Sequence, residues 1–283
     1  NIDVLRQRGL ETACAWLNML LGWFAYERND LDRAITALSA VATDYRDVHG
    51  LTLRDSMSLL AMIYAMRAEW EEAWGVMRRL REILIEFGAT ELMGGVLVTE
   101  AWLAQQAGQK TDSMLWDIGT ADEARRTTSA VILHPSVVRI HMLLAVETRA
   151  GWMAALDEVT AFRRVVTEAH CVFREPQLDL LEAVARWRLG EFDTALDAFR
   201  RALVHPVSAY LPREFLNYPT DVAAMAERLR ADANMAEVLA RIDTLLAVRA
   251  PNLPERATQP SPASQDVLRL LTGRELSVLE GLA

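Results

Sequence analysis

Trp16, Met19, Trp23 and Tyr26 recur every three or four positions, so on a helix they share one face. Later stretches offer comparable groups: Met62 with Ser58 and Met66, Trp102 with Gln105 and Gln106, His141 and Arg149, and Trp187 with Arg188. Aromatic rings and thioethers stack on a ligand, while amides, imidazole and guanidinium fix its polar groups. Together they suit a neutral or mildly anionic small molecule, or a peptide. The same side chains are also ordinary core material, because large apolar residues most often pack between elements.

Other chemistry finds less support. The histidines (His49, His134, His141, His170, His205) include no pair four apart with a supporting carboxylate, so no metal site is expected. His134-Pro135 and His205-Pro206 read as entries to loops. Glu100, Glu147 and Glu182 fall among apolar residues of expected helices, where pairing with arginine is expected ahead of a role as general base. No Gly-x-Ser-x-Gly elbow occurs and no acid, base and nucleophile converge, so no enzyme and no catalytic residue are expected. Lys110 is the only lysine and follows Gln109, which leaves no phosphate-binding loop and no cofactor site. Cys14 and Cys171 read as small buried thiols in apolar helical stretches.

These groups must be positioned by helices. The chain has 283 residues, is 52% hydrophobic and carries a net charge of −9, enough apolar content for a large core. Helix formers dominate residues 1–249, alternating β-branched runs are nearly absent, and no proline precedes Pro135. A short polar turn followed by a large residue and then a small one recurs. It runs through Asn29…Leu31…Ala34, Trp70…Ala73, Gly108…Ser113, Trp152…Ala154 and Gly190…Phe192…Ala195. The small residues stand 39, 40, 41 and 41 apart, which predicts one helical hairpin per unit stacked into an all-α solenoid. Leu21-Gly22 is expected to pack against Ala34…Leu38, and residues 220–249 to close the array with a last pair whose N-cap is Thr220-Asp221. In such a solenoid the first helices line the concave face, which is where the binding candidates fall. Arg78-Arg79 and Arg125-Arg126 read as solvated faces.

Residues 250–265 form a Pro- and Ser-rich linker, and residues 266–283 start another segment. There Thr272 and Glu275 make a capping box ahead of an apolar stripe through Leu276, Leu279 and Leu282. The longest uncharged run, Thr12–Tyr26, is too short for a membrane span, and a soluble, cytoplasmic fragment is expected. The charge divides as −8 over the repeats and −1 over residues 250–283, so the acidity belongs to the array.

The hairpins resemble tetratricopeptide repeats lengthened to about 40 residues. Leu271, Thr272, Arg274, Glu275, Val278, Leu279, Leu282 and Ala283 resemble the opening helix of the LuxR-type helix-turn-helix domain. Gly22 with Tyr26-Glu27-Arg28-Asn29-Asp30-Leu31 resembles the first repeat of the large MalT-like LuxR regulators. The resemblance implies a signalling ATPase, a helical-repeat sensor and a DNA-binding domain in series. On that basis residues 1–249 would be the sensor, binding an inducer or partner protein, with self-association of the parent protein. ATP would be expected only in a preceding domain, and DNA only through a recognition helix beyond Ala283. The alternative is a protein–protein interaction scaffold with no small-molecule ligand.

Overall fold

The computed structural model describes residues 10–43, 45–109, 134–209 and 213–247. Among them there is no strand, and consecutive helices pack as antiparallel hairpins. Helix α1 (Glu11–Glu27) pairs with α2 (Leu31–Thr43), and α3 (Gly50–Met66) with α4 (Trp70–Glu86). Then come α5 (Met93–Gln106), the pair α6 (Pro135–Ala145) and α7 (Arg149–Glu168), and the pair α8 (Glu175–Leu189) and α9 (Phe192–Val204). A single turn, α10 (Arg213–Leu216), precedes the last pair, α11 (Pro219–Leu229) and α12 (Ala236–Ala247). The protein is an all-α helical-repeat solenoid. The linker at 250–265, residues 266–283, Ser113 and Arg125-Arg126 lie outside the described residues.

Two kinds of helix build two layers. The second helices are amphipathic: α2 buries Leu31, Ala34, Leu38 and Val41, three or four apart, and α9 buries Ala195, Ala198, Phe199, Ala202 and Leu203, which fall on one helical face. Burying Phe199 completely contributes about 2 kcal/mol. The first helices α3 and α8 are buried nearly all round, because each packs between its hairpin partner and the second helix of the preceding hairpin and also meets other first helices. Helices α1, α3, α5, α6 and α8 touch in that order and form the inner layer.

The hairpin corners follow one design. Six helix ends carry a residue in the left-handed region (Asn29, Ala68, Gly88, Gly108, His170 and Gly190), and the next amide returns to the carbonyl five residues back, as in Asp30→Ala25 and Glu191→Arg186. At Gly22 a side chain would lie 2.6 Å from Leu38 Cγ, so the expected close approach of α1 and α2 is present.

Four local expectations are corrected. The fully buried small residue of α7 is Ala155, with Ala154 only half-buried, so the repeat register there is one residue later. Phe192 does not plug its hairpin; it is 44% exposed and meets Trp187 edge-on. Helix α11 starts at Pro219 without a side-chain cap, and Asp221 instead pairs with Arg188 at 2.7 Å. Glu147 and Cys171 lie past the ends of α6 and α7 rather than inside helices.

Candidate functional site

The inner layer encloses a cavity of about 240 Å³, and each element contributes residues spaced to share one helical face. The last turn of α1 supplies Trp23, Tyr26 and Glu27; α3 supplies Leu59, Met62 and Met66; α5 supplies Trp102 and Gln106. From α6 come Val137, Val138, His141 and Ala145, with Glu147 just beyond. Helix α8 adds Gln177 and Arg188, and the turn before it adds Arg174. The far wall is α10 and the following residues, through Glu214, Asn217 and Tyr218.

One wall is a continuous polar relay. The Tyr218 hydroxyl lies 2.5 Å from His141 Nδ1, and His141 Nε2 lies 3.0 Å from Glu214 Oε1. Gln177 Nε2 donates to Glu214 Oε2 at 3.1 Å, and Arg174 Nη1 donates to Gln177 Oε1 at 2.7 Å. His141 thus stands between the Tyr218 hydroxyl and the Glu214 carboxyl, and the tautomer of its ring sets which partner donates at Nδ1. Arg188 donates to Asp221 through two nitrogens and to the Leu144 carbonyl at 2.8 Å, so its fork is spent on the scaffold.

Two buried carboxyls sit at this wall in opposite states. Burial alone would push Glu214 up, but His141, Gln177 and Arg174 together hold it below the usual carboxylate range. Burial pushes Glu27 up to about 7, with Glu214 adding to the rise and the Trp23 hydrogen bond, Arg174 and Arg213 opposing it. Trp23 Nε1 donates to Glu27 Oε1 at 3.1 Å, the one hydrogen bond Glu27 makes among the described residues. Burial likewise raises Tyr26 to about 12 and lifts Tyr218 well above its ordinary value.

The residues singled out from sequence divide clearly. Trp23, Tyr26, Met62, Trp102, Gln106, His141 and Arg188 converge on the cavity. The others lie elsewhere. Trp16 is 51% exposed two turns before Trp23 on the same face of α1, short of the cavity, and Met19 is buried in the core. Gln105 points between helices and donates to the Met142 carbonyl at 3.1 Å. Arg149 is exposed at the start of α7, and Trp187 packs against Phe192. Ser58 is buried outside the cavity lining. These departures have three causes: Trp16 and Met19 stand one to two turns along α1 from the cavity, Gln105 and Trp187 turn toward neighbouring helices, and Arg149 begins a second helix.

Glu27, Arg174, Gln177, Glu214, Asn217 and Tyr218 were missed. Glu27 is four residues from Trp23, and Gln177 is three helical turns before Arg188, so extending the stripes would have found both. Glu214 lies within a one-turn helix, which leaves no periodic signal. Of the acidic residues first suspected, Glu100 pairs with Arg81, and Glu182 with Arg163 at 3.0 Å and Arg186 at 2.8 Å, which makes both structural.

Among the described residues no cluster of His, Cys, Asp and Glu has metal-binding geometry, and no helix is long and apolar enough to cross a membrane. Fold and cavity together define a helical-repeat protein with an open cavity of mixed apolar and polar lining. No known family model, curated protein or solved structure matches the chain.

Proposed function

We propose that this solenoid is a sensor that encloses a small molecule between its two ends, and that it serves a LuxR-type, MalT-like transcriptional regulator. The observation that carries the sensing role is the cavity itself: its walls come from α1 at one end of the array and from α10 and Tyr218 near the other. A ligand there touches elements far apart in sequence, so its binding energy favours one curvature of the array over another. The regulatory output rests on the resemblance of Leu271–Ala283 to the opening of a helix-turn-helix. Neither ATP nor a catalytic step enters the sensing role.

Thermal-shift screening of the chain against small metabolites tests the proposal. A hit whose stabilisation is lost on Trp102→Ala is the expected result; no hit, alongside tight binding of a protein partner, would sink it. One observation favours that second reading, an interaction scaffold. Trp16, Leu21 and Phe24 are large apolar residues left exposed along α1.

A further inference from the structure

We infer that the cavity takes a small organic cation, an ammonium group seated against Glu27 with its apolar part between Trp23 and Trp102. This deepens the sensor proposal and rests on it. The argument is one of spare valence. Among the charged groups of the inner walls, Arg188 is committed to Asp221 and Leu144, His141 to Tyr218 and Glu214, Glu214 to His141 and Gln177, and Glu147 has an interaction of its own. Arg174 is engaged by Gln177. Glu27 is only 9% exposed, lines the cavity, and is bonded through one oxygen alone, to Trp23. A buried carboxylate with an unused oxygen gains most from a cationic partner, because burial has removed the water that would otherwise solvate it.

The aromatic rings point the same way. Arg213 already lies over Tyr26 and Arg188 over Tyr218, at 5.3 and 5.6 Å, so these two faces are served by the protein's own cations. Trp23, which also meets Phe24 and Phe173, and Trp102 line the cavity with no such cation among the described residues. Neutral or anionic ligands, expected from the aromatics, Gln, His and Arg alone, are disfavoured once Glu27 and Glu214 join the walls.

Three probes of one carbon skeleton test this on the full chain: phenethylammonium, phenethyl alcohol and phenylacetate, titrated by tryptophan fluorescence and calorimetry at pH 8. The ammonium is expected to bind about tenfold or more tighter than the alcohol, with phenylacetate weakest. In Glu27→Gln, which keeps size and the Trp23 hydrogen bond, the ammonium should fall to the affinity of the alcohol, and the alcohol should be unchanged. Glu27→Asp, which withdraws the charge by one methylene, should show an intermediate preference. Equal or tighter binding of the alcohol or phenylacetate, or a preference that survives Glu27→Gln, overturns the cationic assignment and leaves the sensor cavity standing. Binding by none of the three overturns both.

Discussion

Glu27 and Glu214 show how one wall holds two carboxyls in different states. Glu214 has its partners built in, whereas Glu27 has one hydrogen bond and a cavity in front of it. The consequence for stability has a definite sign. A carboxyl raised from 4.5 to about 7 binds its proton more tightly in the folded chain, so the fold loses stability as pH rises through that window and levels off above it. Glu27→Gln has no such loss. The variant should match the native chain near pH 4.5 and exceed it by roughly 2 kcal/mol at pH 8, read from urea unfolding at both pH values. A constant difference at the two pH values would show that Glu27 is not raised. Glu27 is faced by Glu214, Arg174, Arg213 and Tyr26, so the same titration should appear in binding. Phenethylammonium affinity should fall toward that of phenethyl alcohol as pH drops below about 7, and phenethyl alcohol affinity should stay constant.

At the scale of the element, the division between inner and outer helices explains what could be read beforehand. The outer helices carry clean stripes, so α2, α4 and α9 and their period of about 40 were legible from Ala34, Ala73 and Ala195. The inner helices are buried on most faces, and periodicity cannot say which face of α3 or α5 meets the cavity; Met62 and Met19 look alike in sequence and end in different places. Gly22 was legible because a glycine facing Ala34 and Leu38 has a steric purpose. Gly22→Ala should cost about 1–3 kcal/mol, since the new methyl would meet the fully buried Leu38 side chain rather than a mobile end. Combined with Leu38→Ala in a double-mutant cycle, the two losses should sum to less than their separate values, and strict additivity would deny the contact. The corners give the opposite test. Ala68 sits at φ 61, where a side chain is strained, so Ala68→Gly should raise the thermal midpoint, by roughly 1 kcal/mol of stability. A lower midpoint would mean that the flexibility added to the unfolded chain outweighs the relieved strain.

At the scale of the whole molecule, the array is closed by a contact that no repeat pattern announces. Arg213, buried at the start of α10, donates to Asn29 at the corner after α1 and to Met66 Sδ at the end of α3, and lies over the Tyr26 ring. One side chain thus ties the late part of the chain to the corners of the first two hairpins, directly behind the cavity. Repeat arrays otherwise contact only their neighbours, so such a tie sets how far the ends can part. Arg213→Met keeps most of the apolar stem and removes the charge, with an expected cost of about 1–3 kcal/mol. Its effect should be local to the closure. Amides of the last turn of α1, of α3 near Met66 and of α10 should exchange faster, while those of α8 and α9, held by their own hairpin core, keep their protection. Phenethylammonium should bind Arg213→Met more weakly than the native chain even though Arg213 does not line the cavity, because part of the binding energy then goes into bringing the ends together. Unchanged affinity with faster exchange at α10 would separate ligand binding from closure and remove the means by which a sensor of this shape reports occupancy.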